Sequence, residues 1–129
     1  MTTTDSALVA GFRAGTLETL PHSDHIRVAY ALIAANGVGE ATTQLSDGIL
    51  SFATAKGAPG KFHVTRTTAW VQIVAAAMRE CSDADSLAFL ARRPDLLRST
   101  LLDDHYSAGR LNTEEARTRF LEPDLKPLG

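Results

Sequence analysis

Four histidines are the residues of this sequence best suited to chemistry, and all four lie at the ends of predicted helices. They are His22 and His25 in PHSDH, His63 in KFHVT and His105 in DDHYS. Helical positions three, four and seven apart share a face, and each histidine extends the apolar stripe of its helix by one turn. Imidazole is the commonest metal-ligating side chain in proteins. The pattern therefore predicts a metal site built from these four histidines.

The predicted helices have to bring the four rings to one place. A helix over about 22–35 and another over about 62–80 are separated by a third, over about 39–56. With short connections, neighbouring helices run antiparallel, so the first and the last of these three begin at the same end of a bundle. A further predicted helix starts at Pro94 and ends beside His105. Three imidazoles would leave an open coordination position, and a fourth would close a tetrahedral site.

Helical periodicity dominates the whole chain, and no long alternating run predicts a strand. Asn36-Gly37 is a helix stop, and the GAPG of residues 57–60 breaks the chain before the helix that carries Trp70. Phe52 and Trp70 are expected in the core, against the stripe that continues from His25. We expect an all-α protein, a single-domain up-and-down helical bundle with short accessory helices, over residues 1–129.

All-imidazole ligation suits zinc, iron, copper or nickel, and it does not suit magnesium or calcium. His22, His25 and His63 are the expected ligands, and His105 is either the fourth ligand or a general base. Thr67 lies one turn after His63 on the same face. The sequence thus predicts a metal-dependent enzyme that acts on a small molecule. Its expected catalytic residues are His105, Thr67, Arg66 and Tyr106, with Lys61 and Arg27 beside them and Asp24, Asp103 and Asp104 available to accept the other ring N–H groups.

Two alternatives stay open at this point. In the first, no metal is involved and a neutral histidine acts as the base. In the second, the protein is a helical interaction module whose histidines only cap helices. The HxxH spacing of His22 and His25 lacks the glutamate of the HExxH motif, so it does not point to a zinc protease.

Composition narrows the range of partners. The 129 residues carry a formal net charge of −2, which disfavours non-specific binding to nucleic acid. The longest apolar stretch, Trp70 to Met78, is too short to cross a bilayer, so no membrane partner is expected. The first residues lack the pattern of a secretory signal, and the single cysteine, Cys81, cannot form an internal disulfide. We therefore expect a cytoplasmic protein. Its oligomeric state is left open, a dimer included.

Three motifs also carry a resemblance. The strings HSDHIRVAYALI, KFHVTRTTAW and HYS, followed by ARTRFLEPDLKPL, lie in that order, and the resemblance that they carry covers about residues 12–128. In this order and spacing, HxxHxR, KxHxT and HYS, the chain resembles a family of small bacterial helical proteins of uncharacterised function. Members of that family often have a glutamate directly after the KxH histidine, whereas this chain has Val64. The resemblance supports grouping the three motifs, and it implies no reaction.

Overall fold

The computed structural model describes residues 2–129, and over these residues the protein is all-α, as predicted, with no β-strand. None of the described helices combines the length and apolarity that a bilayer crossing requires. Three short 3₁₀ segments, Pro59–Lys61, Pro94–Leu97 and Ser99–Asp104, connect the α-helices. The α-helices are α1 (Thr3–Ala14), α2 (His22–Asn36), α3 (Val38–Ala55), α4 (Val64–Met78), α5 (Ser86–Arg92), α6 (Ala108–Leu111) and α7 (Glu114–Thr118).

Helix α2 is the centre of the bundle and packs against α1, α3, α4 and α5. Helices α2 and α4 are buried around most of their circumference, as expected for helices inside a core. Their fully buried members include Ile26, Val28, Ala29, Leu32, Ala69, Val71 and Val74. These two helices also begin at the same end of the bundle, so their first turns are neighbours. The packing thus places the histidines of both N-termini close together.

The turn between α2 and α3 depends on Gly37. Its φ of 84° lies in the left-handed region, which glycine reaches without a steric penalty. The Gly37 N–H donates to Ile33 O and closes α2, and the chain then enters α3 at once. The helix stop predicted at Asn36-Gly37 is confirmed. This tight turn makes α3 antiparallel to α2 and returns the chain to the histidine end.

Helix α1 approaches α3 through a glycine. Phe12, which is buried, directs the tip of its ring at Gly48, and a Cβ atom at position 48 would lie 2.1 Å from the Phe12 Cζ. Only glycine permits this approach. A broad groove of about 620 Å³ remains beside the contact, and Phe52 and Lys56 line its other side.

The two predicted core aromatics have different positions. Trp70 was expected in the core; it is partly buried and packs against the edge of the core. The prediction for Phe52 was wrong, because this ring lies in the groove beside α1, with the Lys56 Nζ 5.4 Å from its centroid. Helix α3 buries only Ala41 and Leu45 fully. Its C-terminal half therefore lies at the edge of the core.

A buried polar network joins α1 to α2 and α5. Asp5, only 2% exposed, accepts hydrogen bonds from the Ser86 N–H (2.9 Å) and from the Ser86 hydroxyl (2.5 Å). The Arg27 Nε donates to the same hydroxyl oxygen at 2.9 Å, and an Arg27 Nη lies 3.6 Å from the Asp5 carboxylate. The Asp5 carboxylate therefore accepts a hydrogen bond from the first backbone N–H of α5 and also faces the Arg27 guanidinium.

The α-helix predicted from Pro94 to about Asp104 was wrong. The segment forms two 3₁₀ turns that are interrupted at Arg98, where the backbone is extended (φ −81°, ψ 108°). Leu96 and Leu102 become fully buried, whereas Leu97 stays 47% exposed. The stripe of positions 97, 101 and 105 therefore never forms. Burial of Leu96 and Leu102 takes precedence over the local helical pattern.

The last third of the chain is held by side chains that bond to backbone. The buried Tyr106 hydroxyl donates to Leu121 O at 2.7 Å, and burial raises the pKa of Tyr106 to about 12. The Thr65 hydroxyl, on α4, donates to Arg119 O at 2.8 Å and accepts from the Leu121 N–H at 3.1 Å. These contacts fix the irregular C-terminal segment onto the bundle.

Candidate functional site

The structure brings His22, His25 and His63 together in one pocket at the end of the bundle where α2 and α4 begin. Lys61 and Ser99 reach the same pocket from the two neighbouring 3₁₀ segments. We call this the histidine pocket. It has a volume of about 210 Å³, and its other lining residues are Ile26, Ala29, Leu45, Ile49, Arg66, Thr67 and Trp70.

His22 is oriented by a backbone carbonyl. Its Nε2 donates to Leu96 O at 2.9 Å, because a carbonyl oxygen can only accept. Its ring also meets Trp70 edge to face, with centroids 4.6 Å apart and an interplanar angle of 64°. These two contacts fix both the ring plane and the tautomer. In the neutral ring, Nδ1 then keeps its lone pair as an acceptor.

His25 has no hydrogen-bond partner for its ring among residues 2–129. The pKa of His25 is lowered to about 4, mainly by burial; the charge of His22 acts in the same direction, and Asp24 opposes the shift. The ring is therefore neutral at pH 7. A neutral imidazole that faces a cavity can both donate and accept a hydrogen bond.

His63 is engaged at both ring nitrogens. It is the N-cap of α4: its Nδ1 accepts from the Arg66 N–H at 3.1 Å, and its Nε2 donates to Leu111 O at 2.9 Å. Burial lowers the pKa of His63, and the charges of Arg66 and Arg117 act in the same direction, against the hydrogen bond to Leu111. The sequence placed His63 on the helical stripe, but the ring caps the helix one position earlier. It forms a wall of the pocket.

Two cations, Lys61 and Arg66, line the histidine pocket. Neither forms an ion pair with an acidic side chain among residues 2–129. Asp24, which directly precedes His25 in the sequence, lies 3.8 Å from the Arg27 guanidinium. Lys61 and Arg66 therefore have no carboxylate within ion-pair distance among residues 2–129.

Thr67 is 8% exposed and lies against the pocket. Threonines in helices usually return their hydroxyl to the carbonyl four residues earlier, as Thr42 and Thr54 do here, each at 2.8 Å. The Thr67 hydroxyl makes no such bond and has no other partner among residues 2–129. Its donor and acceptor capacity is available to a molecule in the pocket.

His105 and Tyr106 do not line the histidine pocket. The His105 Nδ1 donates to Lys126 O at 3.1 Å, and the ring is nearly buried under the C-terminal tail. Tyr106 is fully buried and bonds to Leu121, as described above. The cause is the 3₁₀ geometry of residues 94–104, which ends on a different face of the bundle than an α-helix would.

No group of three or more histidine, cysteine, aspartate or glutamate side chains is arranged to hold a metal ion within residues 2–129. His63 would have to release Leu111 O or the Arg66 N–H to ligate one. Asp104 pairs with Arg98 at the surface instead of accepting from His105. The imidazoles with a free nitrogen in the pocket are His22 and His25.

Sequence reasoning missed the backbone acceptors that orient these rings, Leu96 O and Leu111 O, and the participation of Ser99. Every residue has a carbonyl, so no residue type signals that a particular one will face a histidine. Lys61, Arg66 and Thr67 were found from their spacing around His63.

Comparison with known proteins gives no further assignment. The chain matches no family model, no curated protein and no solved structure. Its function has to be inferred from the geometry of the histidine pocket.

Proposed function

We propose that the histidine pocket binds a small molecule and that His25 and His22 exchange protons with it without a metal ion. The observation that carries the proposal is the presence of two imidazoles with free nitrogens in one partly apolar cavity. A volume of about 210 Å³ lies below the roughly 300–1,000 Å³ of pockets that take drug-sized ligands. The expected ligand is accordingly small.

The two rings would have different roles. His22 is held by its hydrogen bond to Leu96 O and by its edge-to-face contact with Trp70, so its Nδ1 is a preorganised acceptor. His25 has no such support and is neutral because it is buried. A ligand that brings negative charge next to His25 would favour its protonated form and raise its pKa towards the range useful for general acid–base catalysis. His63 is a positioning residue, since its nitrogens are occupied by backbone groups.

Acylation with diethyl pyrocarbonate tests the availability of these rings. A neutral ring nitrogen attacks the carbonyl carbon, an N–C bond forms, and ethyl carbonate leaves and decomposes to ethanol and carbon dioxide. Because the pKa of His25 is about 4, its neutral fraction hardly changes between pH 5.5 and 7.5. The neutral fraction of an imidazole of ordinary pKa is about tenfold smaller at pH 5.5 than at pH 7.5. We expect the labelling rate of His25, measured by peptide mass spectrometry, to stay nearly constant.

N-acetylhistidine in the same tube supplies the ordinary imidazole as a reference. His63 is the internal control, since both of its nitrogens are hydrogen-bonded and it should label much more slowly than His25 in the folded protein. A His25 that labels only after denaturation, or in parallel with the reference, would contradict the proposal.

Metal binding by His22 and His25 is the second candidate function. They lie three positions apart in the first turn of α2, and each keeps a nitrogen without a partner among residues 2–129. The metals that suit such ligands are zinc, iron, copper and nickel. Two protein ligands, with water or substrate completing the site, would support chemistry at an open coordination position.

Metal analysis of protein purified without a histidine tag separates the two candidates. For metal-free proton transfer we expect substoichiometric metal, unchanged in a His25→Gln variant. A stoichiometric transition metal that is lost in His25→Gln would establish the second candidate instead. An interaction module whose histidines only cap helices would show neither bound metal nor the labelling of His25 described above.

A further inference from the structure

We infer that the ligand of the histidine pocket is a small organic or inorganic anion, a carboxylate or a phosphate, held between Lys61 and Arg66 with a polar group directed to Thr67. The inference rests on the proposed function of this pocket and specifies the class of its ligand. Three independent features of the pocket lead to it.

The first feature is charge. Lys61 and Arg66 are the charged residues of the pocket lining, and neither is paired with a carboxylate among residues 2–129. Apart from the imidazoles, the remaining lining side chains carry no ionisable group, and the His25 ring is neutral at pH 7. A guanidinium and an ammonium at one cavity bind carboxylate and phosphate oxygens through charge-assisted hydrogen bonds. The fully paired arginines of the α5 region, such as Arg92, have no such capacity left.

The second feature is the start of α4. His63 caps this 15-residue helix, and Arg66 and Thr67 belong to its first turns. The helix dipole places partial positive charge at this end, which favours an anion nearby. The first turn of α4 contains no acidic residue that would interact with this partial positive charge.

The third feature is the Thr67 hydroxyl. The residue as a whole is 8% exposed and lies against the pocket, and its hydroxyl lacks the bond to the carbonyl four residues earlier that Thr42 and Thr54 make. The hydroxyl oxygen is not fully enclosed by protein, so a molecule in the pocket can reach it. An anion held at Lys61 and Arg66 offers the oxygen atoms that this hydroxyl can bond.

Titration of ¹⁵N-labelled protein with inorganic phosphate, propionate and propionamide tests the inference. Propionamide has the shape of propionate without its charge. We expect phosphate or propionate to shift the amide signals of Arg66 and Thr67 and the ring signals of His25, and propionamide to bind much more weakly. Saturation with phosphate alone would assign the phosphate class, and with propionate alone the carboxylate class.

Three variants locate the contacts. Lys61→Gln and Arg66→Gln are each expected to raise the Kd of the anion about tenfold or more, the usual effect of losing a charge-assisted hydrogen bond. Thr67→Val is expected to raise the Kd several-fold without lowering the melting temperature, since the hydroxyl makes no bond in the free protein. Lys56→Gln is the matched control: it removes the same charge at the α1–α3 groove and should leave the Kd unchanged.

Equal affinity for propionate and propionamide, or an equal loss in Lys56→Gln and Arg66→Gln, would overturn the inference while leaving the proposed function in place. Absence of any shift with all three compounds would also overturn it. The labelling of His25 by diethyl pyrocarbonate then decides independently whether the pocket is available for proton transfer.

Discussion

Replacement of Asp5 by alanine is expected to lower the free energy of unfolding by about 3–5 kcal/mol, the usual cost of leaving one member of a buried ion pair alone. The carboxylate is 2% exposed and accepts from both the N–H and the hydroxyl of Ser86, and it faces Arg27. Without it, those donors have no partner, and one Arg27 Nη atom is already buried without a hydrogen bond. Urea denaturation followed by the fluorescence of the single tryptophan, Trp70, measures the change.

Two variants control this prediction. Asp5→Asn keeps the shape and one acceptor oxygen, so it should cost less than Asp5→Ala. Glu114→Ala breaks an exposed pair with Arg117 on α7 and should leave the denaturation midpoint almost unchanged. A loss below about 1 kcal/mol in Asp5→Ala would show that the network contributes little beyond a surface ion pair.

The stability of the protein is expected to fall by about 3 kcal/mol as the pH decreases from about 6.5 to about 4, on account of His25 alone. The unfolded chain protonates this histidine near its ordinary pKa of 6.5, whereas burial and His22 hold the pKa in the folded protein at about 4. Between the two values the unfolded chain binds a proton that the folded protein excludes. The stabilisation is complete above pH 6.5 and is lost on acidification.

The measurement is urea denaturation of the parent and of His25→Gln at several pH values, in sulfonate buffers free of phosphate and carboxylate. His22 is the charge that lowers the pKa of His25, Asp24 is the charge that opposes this shift, and Lys61 and Arg66 face the same pocket. All four residues remain in both proteins. Acidic residues and His63 contribute equally to both curves. The two curves should therefore diverge between pH 4 and 6.5, and parallel curves would contradict the prediction.

The helices α2, α3 and α4 and the meeting of three histidines could be predicted from sequence because both follow from local rules. Gly37 ends α2, the helical period places His22 and His25 on one face, and antiparallel packing brings His63 to the same end. These rules need only neighbouring residues and short connections.

The position of His105 could not be predicted by the same rules. The apolar residues around it fit an α-helix, but the core selects Leu96 and Leu102, and the chain leaves the helix at Arg98 to bury them. Long-range packing therefore decided this segment. The hydrogen bonds of the His22 and His63 rings could not be predicted either, because their partners are backbone carbonyls 74 and 48 positions away in the sequence.

Those distant carbonyls also determine when the pocket can exist during folding. His22 bonds to the 3₁₀ segment at Leu96, and His63 bonds to the end of α6 at Leu111. Helices α1 to α4 can associate through nearby contacts, but the rings find these acceptors only after the C-terminal third has docked. The pocket is therefore complete only when the C-terminal third is docked, and local opening of that third would release the rings that shape it.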